Sequence, residues 1–199
     1  MSDTRETIGT LLIGTGREGI SKLLGCLECD GFFTQPASTR FHKSYLGGLA
    51  EHSLGVYELL TAYAAKFELA PSFGAITLPY NEESLIIAAL LHDICKMGAY
   101  LGNATPFKWN RQQPKGHALL SLVRIAKYIK LEPIEEMMIK FHMGTYGTFE
   151  FGSYASEFPI RGDKSKSKEE RYGVSLANAW YHNPIVKLMY FCDELEMMS

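Results

Sequence analysis

Residues 81–93 read Asn-Glu-Glu-Ser-Leu-Ile-Ile-Ala-Ala-Leu-Leu-His-Asp, and this stretch decides the fold. Asn81 followed by Glu82 and Glu83 is a helix start: a side-chain cap, then acids in the first turn, where the helix dipole favours negative charge. The apolar run that follows predicts a helix from Leu85 towards Ile94. It is apolar on nearly every face, so it has no side to offer to water and belongs at the centre of a helical core. The run closes on an imidazole and a carboxylate, His92-Asp93. A carboxylate in such surroundings is costly unless something neutralises it.

Helical spacing continues on both sides. After Gly47-Gly48, the residues Leu49, Val56, Leu59, Leu60, Tyr63 and Phe67 form one stripe. A second helix follows Pro114-Lys115-Gly116 and carries Leu119, Leu120, Val123, Ile125, Ala126 and Ile129. Pro133 suits the first turn of a helix running towards Phe141 and His142, and Asn183-Pro184 opens a last one holding Ile185, Val186, Leu188, Met189 and Phe191. Ile20, Leu23, Leu24 and Leu27 mark an early helix, with Thr15 as its expected N-cap. Two stretches resist helix. Gly98 to Pro114 contains the turn signals Gly102-Asn103 and Thr105-Pro106. Gly144 to Gly173 is rich in Gly, Ser and aromatics; it holds a short alternating segment, Thr148 to Phe151, and a charge run, Lys164 to Lys168. That run reads first as a solvated loop, and second as a contact for a phosphate-bearing substrate. With neither repeat nor linker, the expected architecture is mainly α: one domain over residues 1–199, a helical bundle with two irregular loop or short-hairpin excursions and a core at about 17–196.

Composition agrees. Twenty basic against 22 acidic residues leave a net charge of −2, which does not suit a coat on DNA or on an acidic membrane. The chain is 46% apolar and 21% charged, close to a globular average, and its 199 residues can bury a core without disulfide staples. The longest apolar run, Leu85 to Leu91, falls well short of the roughly 18 residues a membrane span needs. The opening MSDTRETIGT lacks the basic start and apolar stretch of a secretory signal. A soluble cytoplasmic domain is the expectation. The four cysteines fit it as ordinary thiols: Cys26 and Cys29 have CxxC spacing but no second pair to complete a zinc ribbon. Gly14-Thr15-Gly16-Arg17-Glu18-Gly19 spells a dinucleotide fingerprint, and Leu11 to Ile13 before it has the look of a short strand. The apolar strand that should follow the helix is missing, so a hydride-transfer enzyme is set aside.

Six histidines remain: His42, His52, His92, His117, His142 and His182. Each alone reads as a packed or surface imidazole, and His182, just before Asn183-Pro184, is read as structural. Placement changes the odds for the others. His52 lies early in a helix, His92-Asp93 ends the buried one, His117 starts the next, and His142 ends the one after. Asp193 interrupts the apolar Leu188 to Cys192 segment of the last helix. Buried carboxylates surrounded by imidazoles suit one or two divalent cations, whose natural ligands they are.

In this order and wording the sequence resembles the HD-domain metal-dependent phosphohydrolases. Phe41-His42-Lys43-Ser44-Tyr45-Leu46-Gly47-Gly48-Leu49-Ala50-Glu51-His52-Ser53-Leu54 is similar to the segment around that family's first metal histidine. His92-Asp93-Ile94-Cys95-Lys96 is similar to its HDxxK, and Gly116-His117 and His142-Met143-Gly144 to two further histidine motifs of its bimetallic branches. The resemblance extends from about Arg17 to Glu194. It is nearest to small bacterial and prophage HD hydrolases and to the HD portion of a bacterial 3′-to-5′ exoribonuclease; where that exoribonuclease often has two adjacent histidines, this chain has His142-Met143.

The resemblance implies an HD-type helical bundle and a set of roles. His52, His92, Asp93 and Asp193 would hold one divalent ion, and Asp93 would bridge to a second held by His117 and His142, the two about 3.5–4 Å apart. The ion would be Mn, Fe, Ni, Co or Mg. The chemistry would be hydrolysis of a phosphate ester, with Asp93 and Lys96 as catalytic residues and Lys96 donating to a phosphate oxygen. Arg40, His42, Lys115 and Tyr146 would bind substrate, Tyr146 by stacking on a base. The substrate would be a phosphorylated small molecule, a nucleotide or a short single-stranded nucleic acid. Glu51 reads either as a partner of a metal-bound histidine or as a surface acid. Cys95 and Cys192 would pack behind the site. A second reading is a catalytically silent HD fold that senses a nucleotide or metal. Oligomeric state is left open.

Overall fold

The computed structural model describes residues 2–69, 80–114, 116–144, 176, 179, 180 and 183–199. The helix read first is the centre of the molecule. It runs Glu82–Leu91, and every residue from Ser84 to Leu91 is buried. Asn81 caps it by accepting a hydrogen bond from the Ser84 amide at 2.7 Å. Its neighbours follow from the same stripes. In chain order the helices are α1 Ser2–Gly14, α2 Ile20–Cys29, α3 Gly48–Leu69, α4 Glu82–Leu91, α5 His117–Ile125, α6 Pro133–Phe141 and α7 Pro184–Glu196, with a short 3₁₀ turn at Ile94–Lys96. Among the described residues the fold is all-α apart from one small hairpin.

Four helices close a ring: α3 packs on α4, α4 on α6, α6 on α7 and α7 back on α3. Leu49, Val56 and Leu60 of α3, Leu90 of α4, Met138 of α6 and Met189 of α7 meet in one core. Local signals fix where these rods begin. Pro133 sits in the first turn of α6, and Glu132 and Glu135 form a reciprocal capping box. Pro184 starts α7 in the same way. The fully buried Glu135 also pairs with Arg17 and accepts from Ser84 Oγ at 3.1 Å, locking the N-terminal ends of α4 and α6 together.

Three expectations are corrected. Leu11 to Ile13 belong to α1, not to a strand, and Ile8 and Leu12 lie fully buried in the main core. The N-cap of α2 is Gly19, with φ +88°, and not Thr15. Thr15 Oγ instead donates back to the Leu12 carbonyl at 2.7 Å, closing α1. Gly19 suits its place because a Cβ there would stand 2.0 Å from the Tyr128 carbonyl oxygen. The helix after Gly116 ends at Ile125, sooner than its apolar pattern suggests.

The first irregular excursion folds as a hairpin, β1 Tyr100–Leu101 antiparallel to β2 Lys108–Trp109, with Tyr100 opposite Trp109. The Phe107 amide donates to the Thr39 carbonyl and the Tyr100 amide to Gln35 Oε1, so the hairpin steadies the loop that leads to Arg40 and His42. The second excursion, with the Thr148–Phe151 segment and the Lys164–Lys168 run, lies outside the described residues. No described helix is long and apolar enough to cross a membrane.

Candidate metal centre

Each helix of the ring delivers a polar side chain to the same point. His52 comes from the second turn of α3, His92 is the C-cap of α4 with Asp93 next, His142 is the C-cap of α6, and Asp193 lies near the end of α7. His117 joins them from the first position of α5. His52, His92, Asp93, His142 and Asp193 are all nearly or fully buried.

The imidazoles share one orientation. His92 Nδ1 donates to the Ala89 carbonyl at 2.8 Å, and His142 Nδ1 to the Ile139 carbonyl at 2.6 Å. In both cases a helix ends on a histidine that bonds back three residues. His52 Nδ1 rests on the Glu196 carboxylate, and His117 Nδ1 lies 3.3 Å from Cys95 Sγ. With all four Nδ1 atoms engaged, all four Nε2 atoms face the carboxylates. A carbonyl accepts only, so at His92 and His142 the proton sits on Nδ1 and the Nε2 lone pair is the one presented.

The two aspartates divide this space. Asp193 Oδ1 lies 3.1 Å from His52 Nε2 and 3.5 Å from His92 Nε2. Asp93 straddles it: Oδ2 is 3.5 Å from His92 Nε2 and 3.7 Å from His52 Nε2, whereas Oδ1 is 2.5 Å from His117 Nε2 and 3.6 Å from His142 Nε2. Lys96, carried round by the 3₁₀ turn, places Nζ 2.5 Å from Asp93 Oδ2.

Electrostatics show that this pocket demands positive charge. Burial works against the Asp93 carboxylate, but Lys96, His117 and His92 outweigh it and hold its pKa well below the usual range. Burial likewise opposes charge on Asp193, and hydrogen bonds from His52 and His92 win. Burial disfavours the His52 cation, yet bonds to Asp193 and Glu196 carry its pKa up to about 9. His117 is raised as well, against burial, by Cys95 and Asp93. Protons and Lys96 thus supply, in the protein alone, the charge that a cation would supply. His142 differs: burial keeps its pKa down, and its Nε2 has no hydrogen-bond partner. Asp93 Oδ1, by contrast, pairs with His117 Nε2 at 2.5 Å.

The unpartnered His142 Nε2, facing buried carboxylates, fits a metal. Among the described residues, three overlapping groups have ligand atoms that all lie within 4.8 Å of one another: His52, His92, Asp193; His92, Asp93, His142; and Asp93, Cys95, His117. Imidazoles and carboxylates are natural ligands of divalent cations, and these groups offer the ligands for one.

Around the cluster the predicted residues divide. His42 stands beside His52, ring centroids 5.1 Å apart, with a buried Nε2 that has no partner. Burial, then Lys96 and His52, push its pKa down to about 4. Arg40 is exposed, with its guanidinium over the Phe41 ring, and nothing brings it to the cluster. Lys115, Tyr146 and His182 lie outside the described residues. Glu51 turns to Tyr45, whose hydroxyl donates to it at 2.5 Å; the acid at His52 Nδ1 is Glu196. Cys192 is fully buried in the core. The CxxC pair sits on α2, where Cys26 Sγ donates to Asp30 Oδ2, and neither thiol joins a ligand group among the described residues. Sequence reasoning misses Glu196. Its one signal is a second acid three residues after Asp193, on the same face of the last helix.

A helical ring closed around a buried histidine–aspartate cluster defines a class of all-α protein built to carry divalent metal. The HD domain profile matches residues 49–172, more than half of the chain, and the chain belongs to the HD-domain superfamily of metal-dependent phosphohydrolases. The matched span holds His52, His92, Asp93, His117 and His142, while Asp193 and Glu196 lie beyond it. No curated protein and no solved structure matches the chain.

Proposed function

We propose that this chain hydrolyses phosphate esters, as a phosphodiesterase or nucleotidase on a nucleotide or short oligonucleotide. One observation carries the reading: four imidazoles with Nδ1 engaged outward turn Nε2 onto two buried aspartates, one of which touches both halves of the cluster. His52, His92, Asp93 and Asp193 are the residues for one ion, and Asp93, His117 and His142 for another. A divalent cation in such a setting supplies a Lewis acid for phosphoryl oxygens and lowers the pKa of water.

The chain's own groups do the rest. Asp93 and Asp193 stay ionised and offset the cationic charge. Lys96 stays protonated beside Asp93 and offers a hydrogen bond to a phosphate oxygen. His42 is neutral at pH 7, so its unpartnered Nε2 serves as a hydrogen-bonding contact for substrate and not as a strong acid. Arg40, Lys115 and Tyr146 are proposed as outer substrate contacts, and residues 1–199 as a single domain. The four free thiols support a cytoplasmic setting.

The test is metal content by elemental analysis, followed by hydrolysis of a bis-aryl phosphate and of nucleoside monophosphates with added Mn²⁺. Wild type should carry metal and turn over at least one of these; Asp93→Ala should lose both. Wild type that binds metal and cleaves nothing across a broad phosphoester panel would instead establish the silent, sensing form of the fold.

A further inference from the structure

The four imidazoles do not rest on equal partners. His92 and His142 donate to backbone carbonyls, and His117 faces a cysteine sulfur. His52 rests on a carboxylate, that of Glu196. Glu196 lies one turn beyond Asp193 on α7 and is 3% exposed, so a formal charge has been taken out of water there. One oxygen meets His52 Nδ1, and the other lies 2.6 Å from Lys43 Nζ.

The opposite helix is cut to receive it. Gly55 stands one turn after His52 on α3, and a Cβ there would lie 2.9 Å from both Cγ and Oε1 of Glu196. Glycine is unfavourable inside a helix. Here it leaves the space through which the carboxylate passes to reach the imidazole.

Resting on the metal-centre reading above, we infer that Glu196 is a positioning residue that makes His52 a stronger metal ligand. Its carboxylate fixes the proton on His52 Nδ1, aims Nε2 at Asp193, and raises the ring's basicity towards a cation. Lys43 Nζ, against the other oxygen, holds the carboxylate in place. The His52–His92–Asp193 group therefore binds its ion more tightly than it would without Glu196.

The experiment is calorimetric titration of the chelator-treated full chain with Mn²⁺ and, in parallel, Ni²⁺. Wild type should bind both ions. Glu196→Ala should weaken the tightest binding step 10–100-fold. Glu196→Gln, which keeps an acceptor oxygen for Nδ1–H but no charge, should fall between the two. Gly55→Ala removes no charge and should weaken the same step by crowding Glu196 off His52. Should Glu196→Ala fail to fold, as judged by circular dichroism, the Gln and Gly55 variants decide. Glu58→Gln, exposed on the same helix as His52, should change nothing. A tight step that is equal in wild type, Glu196→Gln and Gly55→Ala would overturn the role of Glu196 and leave the metal centre standing. Wild type that binds neither ion would overturn both.

Discussion

Replacing Asp93 with Asn keeps the shape of the side chain and removes its charge. In the protein without metal, Asp93 Oδ2 lies 2.5 Å from Lys96 Nζ, and the side chains are 2% and 11% exposed. An amide there leaves a buried ammonium without its nearest counter-charge. Removing one member of a buried pair costs about 3–5 kcal/mol. Asp193 remains as a second negative group facing the same histidines, which argues for the lower end. At about 2–4 °C per kcal/mol for a chain of this size, a loss of ~3 kcal/mol lowers Tm by about 6–12 °C. Metal adds a second difference. An ion held at a hundred times its Kd stabilises by about 2.7 kcal/mol, or about 5–11 °C. The Asp93→Asn variant lacks the charge that both halves of the cluster share, so that increment should vanish. The assay is thermal unfolding by circular dichroism, with chelator and then with excess Mn²⁺. If the Asn variant melts with wild type under chelator, the pair with Lys96 is not what stabilises this end of α4. If added metal raises both proteins equally, the ion does not sit at Asp93.

His52 gives a pH dependence with a definite sign. Its pKa is raised from an unfolded value near 6.5 to about 9, so its stabilising charge is complete below pH ~6.5 and is lost as pH rises through 9. The Tm of chelated protein should therefore fall between pH 7 and 9.5, and bound metal, which takes the place of the proton, should flatten that slope. Arg17→Met leaves the fully buried Glu135 without its guanidinium at the far ends of α4 and α6; urea unfolding should show a loss of about 3–5 kcal/mol, with Mn²⁺ affinity unchanged. Cys95→Ala removes the sulfur behind His117 Nδ1; titration should show a weaker second binding step and an unaltered first one.

How much of this is legible in the chain depends on how local the cause is. Asn81 sets a helix start through its side-chain oxygen, Pro133 and Pro184 through their fixed φ, and each does so here. The all-round apolar α4 has only one place to go. His92 and His142 are readable because each ends a stripe, and the geometry of a helix end lets the ring bond back to its own carbonyls. The opening helix is less visible. Of its apolar residues Ile8 and Leu12 are buried while Ile13 is 60% exposed, so the stripe is thin, and the glycines after it mimic a nucleotide loop. Glu196 and Gly55 are invisible for a different reason. Their meaning arises only when α7 docks on α3, which brings together residues 144 apart for the His52 contact. Glu51, adjacent to His52 in sequence, points along a different face of α3 and meets Tyr45 instead.

Anomalous diffraction from crystals grown with Mn²⁺ tests the central claim most directly. The arrangement of Nε2 atoms and carboxylates predicts anomalous density within bonding distance of His52, His92, Asp93 and Asp193, and at higher occupancy of metal a second peak across Asp93 beside His117 and His142. Density confined to surface carboxylates, with Lys96 and the histidines still paired to the aspartates, would contradict it.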